Sequence, residues 1–216
     1  MIDVKVCGLT DAAAVAAAAE GGARYFGFVF YPPSPRSLSP EQAAPLAAAA
    51  PEGRVRVGVV VDPSDADLAA ILGLVPLDAL QLHGAETPAR VAAIRANTGR
   101  IVIKALKIAD REDLDAAADY AEVADLLLFD AKPAQAAGRL PGGNGESFDW
   151  ELLRGIALAR PWLLSGGLSP ENLANAVRLS GAQAVDVSSG VEARPGHKDP
   201  AKIRRFLHIA TAIGSS

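Results

Sequence analysis

The sequence predicts an α/β fold, a single-domain (β/α)8 TIM barrel spanning residues 1–216. Three observations predict it. Eight short apolar runs recur along the 216 residues, helix-like segments separate them, and turn residues punctuate the junctions. Continuous apolar strands joined by helical crossovers mark a parallel sheet covered on both faces. Eight such units in a chain of this length fit a compact barrel. A doubly wound open sheet is the alternative. It usually has fewer strands and often opens on a glycine-rich turn, where this chain has only Cys7-Gly8.

The strands are expected at 4–7, 25–30, 55–61, 79–83, 101–106, 126–130, 162–165 and 184–187. Each is short and rich in β-branched, aromatic or leucine residues. The helices are expected at 11–20, 40–50, 65–72, 88–97, 111–120, 150–158, 170–179 and 201–211. Alanine-rich blocks such as 12–19 and 47–50 favour helix. Ser39-Pro40, Thr87-Pro88, Ser169-Pro170 and Asp199-Pro200 read as caps, each followed by a residue that lacks the N–H a first turn leaves orphaned. Asp62-Pro63 reads as a turn, and Ser39 with Gln42 has capping-box spacing. One long irregular stretch, 132–148, carries Gly138, Pro141, Gly142, Gly143 and Gly145. Its length suits a lid over a site.

Lys plus Arg number 21 and Asp plus Glu 25, a formal charge of −4. That balance argues against a broad positive face for nucleic acid and leaves room for an anionic small molecule held locally. A single cysteine, Cys7, excludes an internal disulfide framework and a cysteine-cluster metal site, and suits the reducing cytoplasm. Asp3 and Lys5 stand where a signal peptide would be apolar, and no run approaches the ~18 apolar residues of a membrane span.

A barrel of this kind carries its active site at the C-terminal strand ends. The residues there are Cys7-Gly8, the proline-stiffened loop with Arg36, Asp62, His83-Gly84, Lys104 to Lys107, Asp130, Ser165-Gly166-Gly167 and Asp186-Val187-Ser188-Ser189-Gly190. The last two loops offer backbone N–H groups without side-chain obstruction, which suits a phosphate after strands 7 and 8. The same glycines would also serve as tight turns. Cys7 reads as core packing or as a reacting thiol. Asp130 ends an apolar run and reads as a loop cap or as a functional carboxyl. Arg36 reads as a carboxylate fork or as a surface cation. His83 reads as a site residue or as a satisfied strand end.

Taken in order, the motifs resemble those of the phosphoribosylanthranilate isomerase family. They are Lys5-Val6-Cys7-Gly8-Leu9-Thr10, Gly27-Phe28-Val29-Phe30 with Ser34-Pro35-Arg36, Val57-Gly58-Val59-Val60, Leu80-Gln81-Leu82-His83-Gly84, Gly142-Gly143-Asn144-Gly145 with Phe148-Asp149-Trp150, Ser165-Gly166-Gly167-Leu168 and Asp186-Val187-Ser188-Ser189-Gly190-Val191-Glu192. The resemblance runs from residue 5 to about 199. It implies a cofactor-free and metal-free Amadori rearrangement in tryptophan biosynthesis, by a monomer or homodimer acting on a phosphorylated small molecule. It implies Cys7 as general base and Asp130 as general acid. Arg36 would meet the anthranilate carboxylate, His83 and Asp186 would line the site, and Gly166, Gly167, Ser189 and Gly190 would hold the phosphate. An insertion-like stretch at 134–141, and Asn144 where a small hydroxyl residue is common, depart from the family pattern. A related bifunctional isomerase of histidine synthesis resembles this barrel but carries an aspartate at the first strand end. A non-catalytic phosphosugar-binding barrel would bind without turnover. A lyase would need a barrel lysine, for which Lys104 and Lys107 are the candidates.

Overall fold

The computed structural model describes residues 2–132 and 147–214. Eight parallel strands close into a barrel in sequence order. They are β1 (Asp3–Cys7), β2 (Tyr25–Val29), β3 (Val55–Val60), β4 (Ala79–Leu82), β5 (Ile101–Ile108), β6 (Leu126–Ala131), β7 (Trp162–Leu164) and β8 (Ala184–Val187). The helices are α1 (Ala12–Glu20), α2 (Pro40–Ala48), α3 (Asp65–Leu74), α4 (Pro88–Thr98), α5 (Ala117–Val123), α6 (Leu173–Ser180) and α7 (Pro200–Ile213). Among the described residues no helix is long and apolar enough to cross a membrane.

Side chains alternate between the two faces of a strand, so each strand feeds two cores. Val4, Val6, Phe26, Phe28, Leu80 and Phe129 pack outward with the helices. Tyr25, Val57, Ala79, Ile103, Leu128 and Leu163 fill the barrel interior. Near the mouth the interior cluster becomes Cys7, Val29 and Val59.

Most helix starts follow the local chemistry expected of them. Ser39 and Gln42 form the reciprocal capping box, and Thr87 and Asp199 cap helices that open on proline. Helix α3 is capped by Ser64 rather than from the Asp62-Pro63 turn. Ser169 Oγ accepts the Glu171 N–H at 3.3 Å as expected of a cap, but it opens a turn over residues 170–172, and α6 begins only at Leu173.

Two further expected helices are shortened. Over 111–120 a 3-10 turn, Glu112–Leu114, precedes α5. Asp113 takes the N–H of Ala109 at 2.8 Å, while Asp110 takes that of Asp113 at 3.2 Å. These local side-chain bonds compete with helix. Over 150–158 only the 3-10 segment Trp150–Leu153 forms, and Gly155 at φ +72° ends it. Strand β5 runs past its expected end to Ile108, because Lys107 and Ile108 pair with Asp130 and Ala131. A hairpin of β9 (Glu192–Arg194) and β10 (His197–Lys198) follows β8 and was not expected. The lid expected over 132–148 falls mostly on residues 133–146, which lie outside the described residues.

Lys104 faces the helix layer. Its Nζ meets Glu86 Oε2 at 2.6 Å and the Gly84 carbonyl at 2.8 Å. Glu86 in turn accepts the Asp62 and Gly84 N–H groups at 2.9 and 3.1 Å. The pair therefore pins the β4–α4 loop and leaves no barrel-interior role for Lys104. Glu86→Ala would strand a buried ammonium at a cost of about 3–5 kcal/mol. A urea denaturation midpoint should fall accordingly; an unchanged midpoint would remove the pair from the fold's supports.

Candidate active site

The first strand ends inside the barrel mouth. Cys7, its last residue, is buried, and Lys5 lies two positions earlier on the same strand face. Lys5 is fully buried, and its Nζ meets Asp186 Oδ1 at 2.8 Å across the β1–β8 pairing. Ser165 Oγ donates to the other Asp186 oxygen at 3.2 Å. Burial alone would lower the Lys5 ammonium's pKa, but the Asp186 charge, with Cys7 behind it, more than reverses that, and Lys5 stays protonated. The Cys7 thiol is pushed up, first by burial and then by Asp186, while Lys5 and Lys198 pull it down. Gly27 makes the arrangement fit. A Cβ there would lie 3.0 Å from Cys7 Cα, 3.1 Å from Sγ and 3.3 Å from Lys5 Nζ.

Asp130 lies on β6, three strands from β1 around the ring. Its Oδ2 is 3.3 Å from His83 Nε2, an electrostatic approach without the alignment of a hydrogen bond. Its Oδ1 accepts the Ala131 N–H at 3.0 Å. The Gln81 side-chain amide nitrogen lies 2.7 Å from His83 Nδ1. With the amide oriented to donate, Nδ1 accepts and the ring proton sits on Nε2, facing Asp130.

Arg36 lies in the β2–α2 loop, buried against the first strand end. A Cβ on Gly8, which has φ +74°, would lie 2.6 Å from Arg36 Cδ. The guanidinium grips Glu192 with two bonds, Nε to Oε1 at 2.7 Å and Nη2 to Oε2 at 3.0 Å. Lys198 bonds the same carboxylate at 2.6 Å and the Ser188 carbonyl at 3.1 Å. Ser188 Oγ donates to the Cys7 carbonyl at 3.1 Å, so the β9–β10 hairpin is tied to the thiol's own backbone. Burial would raise the Glu192 carboxyl, but Arg36 and Lys198 outweigh it and hold the pKa below the usual range.

The two candidate phosphate loops lie against each other. Gly166 and Gly167 have φ +86° and +64°, a region that favours glycine. A Cβ on Gly166 would come within 2.8 Å of the Ala131 nitrogen, beside Asp130. A Cβ on Gly190 would come within 1.9 Å of the Leu168 carbonyl oxygen. Ser189 and Gly190 open a 3-10 turn, Ser189–Val191, whose first N–H groups have no partner inside the turn.

The structure thus gathers Cys7 with Asp186, His83 with Asp130, and Arg36 with the first strand end. Gly166, Gly167, Ser189 and Gly190 lie on two touching loops. Lys107 is exposed beside Asp130. Lys5, Gln81, Glu192 and Lys198 were not singled out from sequence. Lys5 and Gln81 had a usable signal, since each lies two residues before a candidate on the same strand face. Lys198 had none, because its partners come to it only through the hairpin return. Among the described residues no group of three or more His, Cys, Asp or Glu side chains is arranged to hold a metal ion.

A family model described as N-(5'phosphoribosyl)anthranilate (PRA) isomerase matches residues 4–209. N-(5'-phosphoribosyl)anthranilate isomerase of Paracoccus denitrificans is 59% identical over 211 residues, covering 98% of each chain. The crystal structure of phosphoribosyl anthranilate isomerase from Thermotoga maritima superposes with a TM-score of 0.87 at 38% identity, covering 98% of this chain and 100% of that one. A second solved isomerase, in complex with reduced 1-(o-carboxyphenylamino)-1-deoxyribulose 5-phosphate, gives 0.83 at 36% identity, again covering 98% and 100%. With a family-model match over residues 4–209, 59% identity to a relative over 98% of each chain and a closed eight-stranded barrel, the chain belongs to the N-(5'-phosphoribosyl)anthranilate isomerase family.

Proposed function

We propose that the chain converts N-(5-phosphoribosyl)anthranilate to 1-(2-carboxyphenylamino)-1-deoxyribulose 5-phosphate in the cytoplasm, the isomerase step of tryptophan biosynthesis, with Cys7 as base and Asp130 as acid. The observation that carries the residue roles is the disposition of these two groups on separated strands at one barrel mouth, with two glycine loops between them. Family membership supports the reaction itself.

The substrate is a closed aminosugar ring. Asp130 gives its proton to the furanose oxygen while the anthranilate nitrogen lone pair forms a double bond to C1, and the ring C1–O bond breaks. The resulting iminium acidifies the C2 proton, which passes to the Cys7 thiolate. The C2–H electrons form the C1–C2 double bond and return the iminium electrons to nitrogen. The enol then loses its O2 proton and gains one at C1, giving the ketone. Atoms balance without a redox partner, so one acid and one base suffice. His83, beside Asp130, orients the acid. Exclusion of water by bound substrate favours the proton-carrying form of a carboxyl.

The two anionic ends are held apart. The glycine loops at Gly166-Gly167 and Ser189-Gly190 take the phosphate on backbone N–H groups. Arg36 takes the anthranilate carboxylate, with Glu192 gripping the guanidinium from the side so that little rotamer freedom remains to be lost on binding. Holding both ends fixes C2 over Cys7 and the ring oxygen at Asp130, a restriction worth several kcal/mol.

Turnover is followed by loss of substrate fluorescence. Cys7→Ala and Asp130→Asn should each lower kcat by about 10²–10⁴-fold while KM stays close to that of the unaltered enzyme, because proton transfer belongs to the transition state. Normal turnover by either variant would sink the assignment of that residue. Gly166→Ala must place a side chain at φ +86° against the Ala131 nitrogen. It should raise KM and the inhibition constant for inorganic phosphate together, at a backbone cost of about 1–2 kcal/mol. Unchanged phosphate competition would remove that loop from the phosphate site.

A further inference from the structure

Beneath the reacting sulfur lies a buried ion pair. Lys5 is 0% exposed, and its ammonium and the Asp186 carboxylate are 2.8 Å apart. Apolar side chains of similar volume fill such a place at least as well, because desolvating two charges offsets most of their attraction. The pair therefore points to a role above it, toward Cys7.

The geometry is specific. Lys5 and Cys7 project from the same face of β1, and Gly27 on β2 leaves the space beside them open. The point where a Gly27 Cβ would sit is 3.3 Å from Lys5 Nζ and 3.1 Å from Cys7 Sγ. An ammonium has three donors, and Asp186 Oδ1 engages Lys5 at one of them. The remaining charged groups around Cys7 come from other elements. Asp186 projects from β8 and is tethered by Ser165, Lys198 reaches in from β10, and Arg36 with Glu192 lies over Gly8. Lys198 and Arg36 share the Glu192 carboxylate, whereas the partner of Lys5, Asp186, itself acts on the sulfur.

We propose that Lys5 is the positioning residue of the base. Its ammonium is the counter-charge of the Cys7 thiolate, and Asp186, tethered by Ser165, divides that charge between itself and the sulfur. The proposal rests on the reading of Cys7 as the base. When Cys7 takes the C2 proton its negative charge disappears, and Lys5 falls back wholly on Asp186. Lys5 thus faces two anions before the proton transfer and one after it, so taking up the proton relieves the crowding of negative charge around a single ammonium.

The sign follows from the arrangement. Without Lys5, the Asp186 charge is opposed at the sulfur only by Lys198, itself paired with Glu192, and the thiolate is disfavoured. Without the Asp186 charge, Lys5 is undivided and the thiolate is favoured. Cys7 is the only cysteine, so its alkylation by iodoacetamide, followed by mass spectrometry across a pH series without substrate, reports this one thiolate. Lys5→Met should move the midpoint of the rate upward by about one unit or more, slowing alkylation at pH 7 roughly tenfold. Asp186→Asn should move it downward and speed alkylation, and Lys5→Arg should stay nearer the unaltered protein than Lys5→Met does. The limb of the kcat/KM profile set by the thiol should shift in the same direction in each active variant. Midpoints that move in the same direction in Lys5→Met and Asp186→Asn, as a merely loosened site would give, overturn the proposal, as does an unmoved midpoint in Asp186→Asn should Lys5→Met fail to fold. The thiol titration needs no turnover, so it succeeds or fails separately from the kinetic result for Cys7→Ala.

Discussion

The pairing of β1 with β8 is the contact on which the rest depends. It joins strands from opposite ends of the chain and closes the sheet, leaving no free edge. Its register sets Lys5 opposite Asp186, and that one alignment brings the first and last strands' site residues into contact. The Ser188 hydroxyl's bond to the Cys7 carbonyl extends the same seam by one step, to the mouth. A slip of one residue would turn every β1 side chain to the opposite face. Lys5 and Cys7 would then enter the helix layer, and Val4 and Val6 would line the mouth.

Alternation along the strands explains why two buried lysines have different fates. Lys5 points into the barrel and meets a carboxylate beneath the candidate base. Lys104 points outward, meets Glu86, and holds a loop whose other members include Gly84, next to His83. Both ammonium groups are paired, as burial demands. Only the first faces a chamber where chemistry can occur. The outer pair contributes to function one step removed, by fixing the β4–α4 loop that follows His83.

The barrel was legible because its signals are local and redundant. Apolar runs of strand length, capping residues and prolines recur at every unit, so an error in one does not disturb the others. The helices after β5 and β6 came out shorter because Asp110 and Asp113 spend their carboxylates on nearby N–H groups and Gly155 adopts a left-handed turn. Those are competitions between local bonds that periodicity does not weigh. At the site, strand ends and glycine loops could be found from spacing alone. Lys5 and Gln81 lay in view on the same strand faces as Cys7 and His83, but an inward lysine on a short apolar strand is read as an interruption until its partner is known. The Glu192–Lys198 hairpin is a long-range arrangement. Its partner Arg36 belongs to the distant β2–α2 loop, which only barrel closure brings to Glu192.

Glycine has one use at three places in the site, and it is steric. At Gly27 the missing side chain leaves room for an ammonium and a thiol; at Gly8 it leaves room for the Arg36 stem; at Gly190 it lets one glycine-loop backbone rest on the other. Each absence places a charged or donor group closer to its neighbour than a Cβ would permit. In a low-dielectric mouth, separation sets the strength of charge–charge contacts more steeply than it does in water. The spacing that sets Lys5 beside Cys7, seats Arg36 and brings the two glycine loops into contact is thus written mainly as side chains left out. It becomes visible only when the strands and loops opposite them are in place.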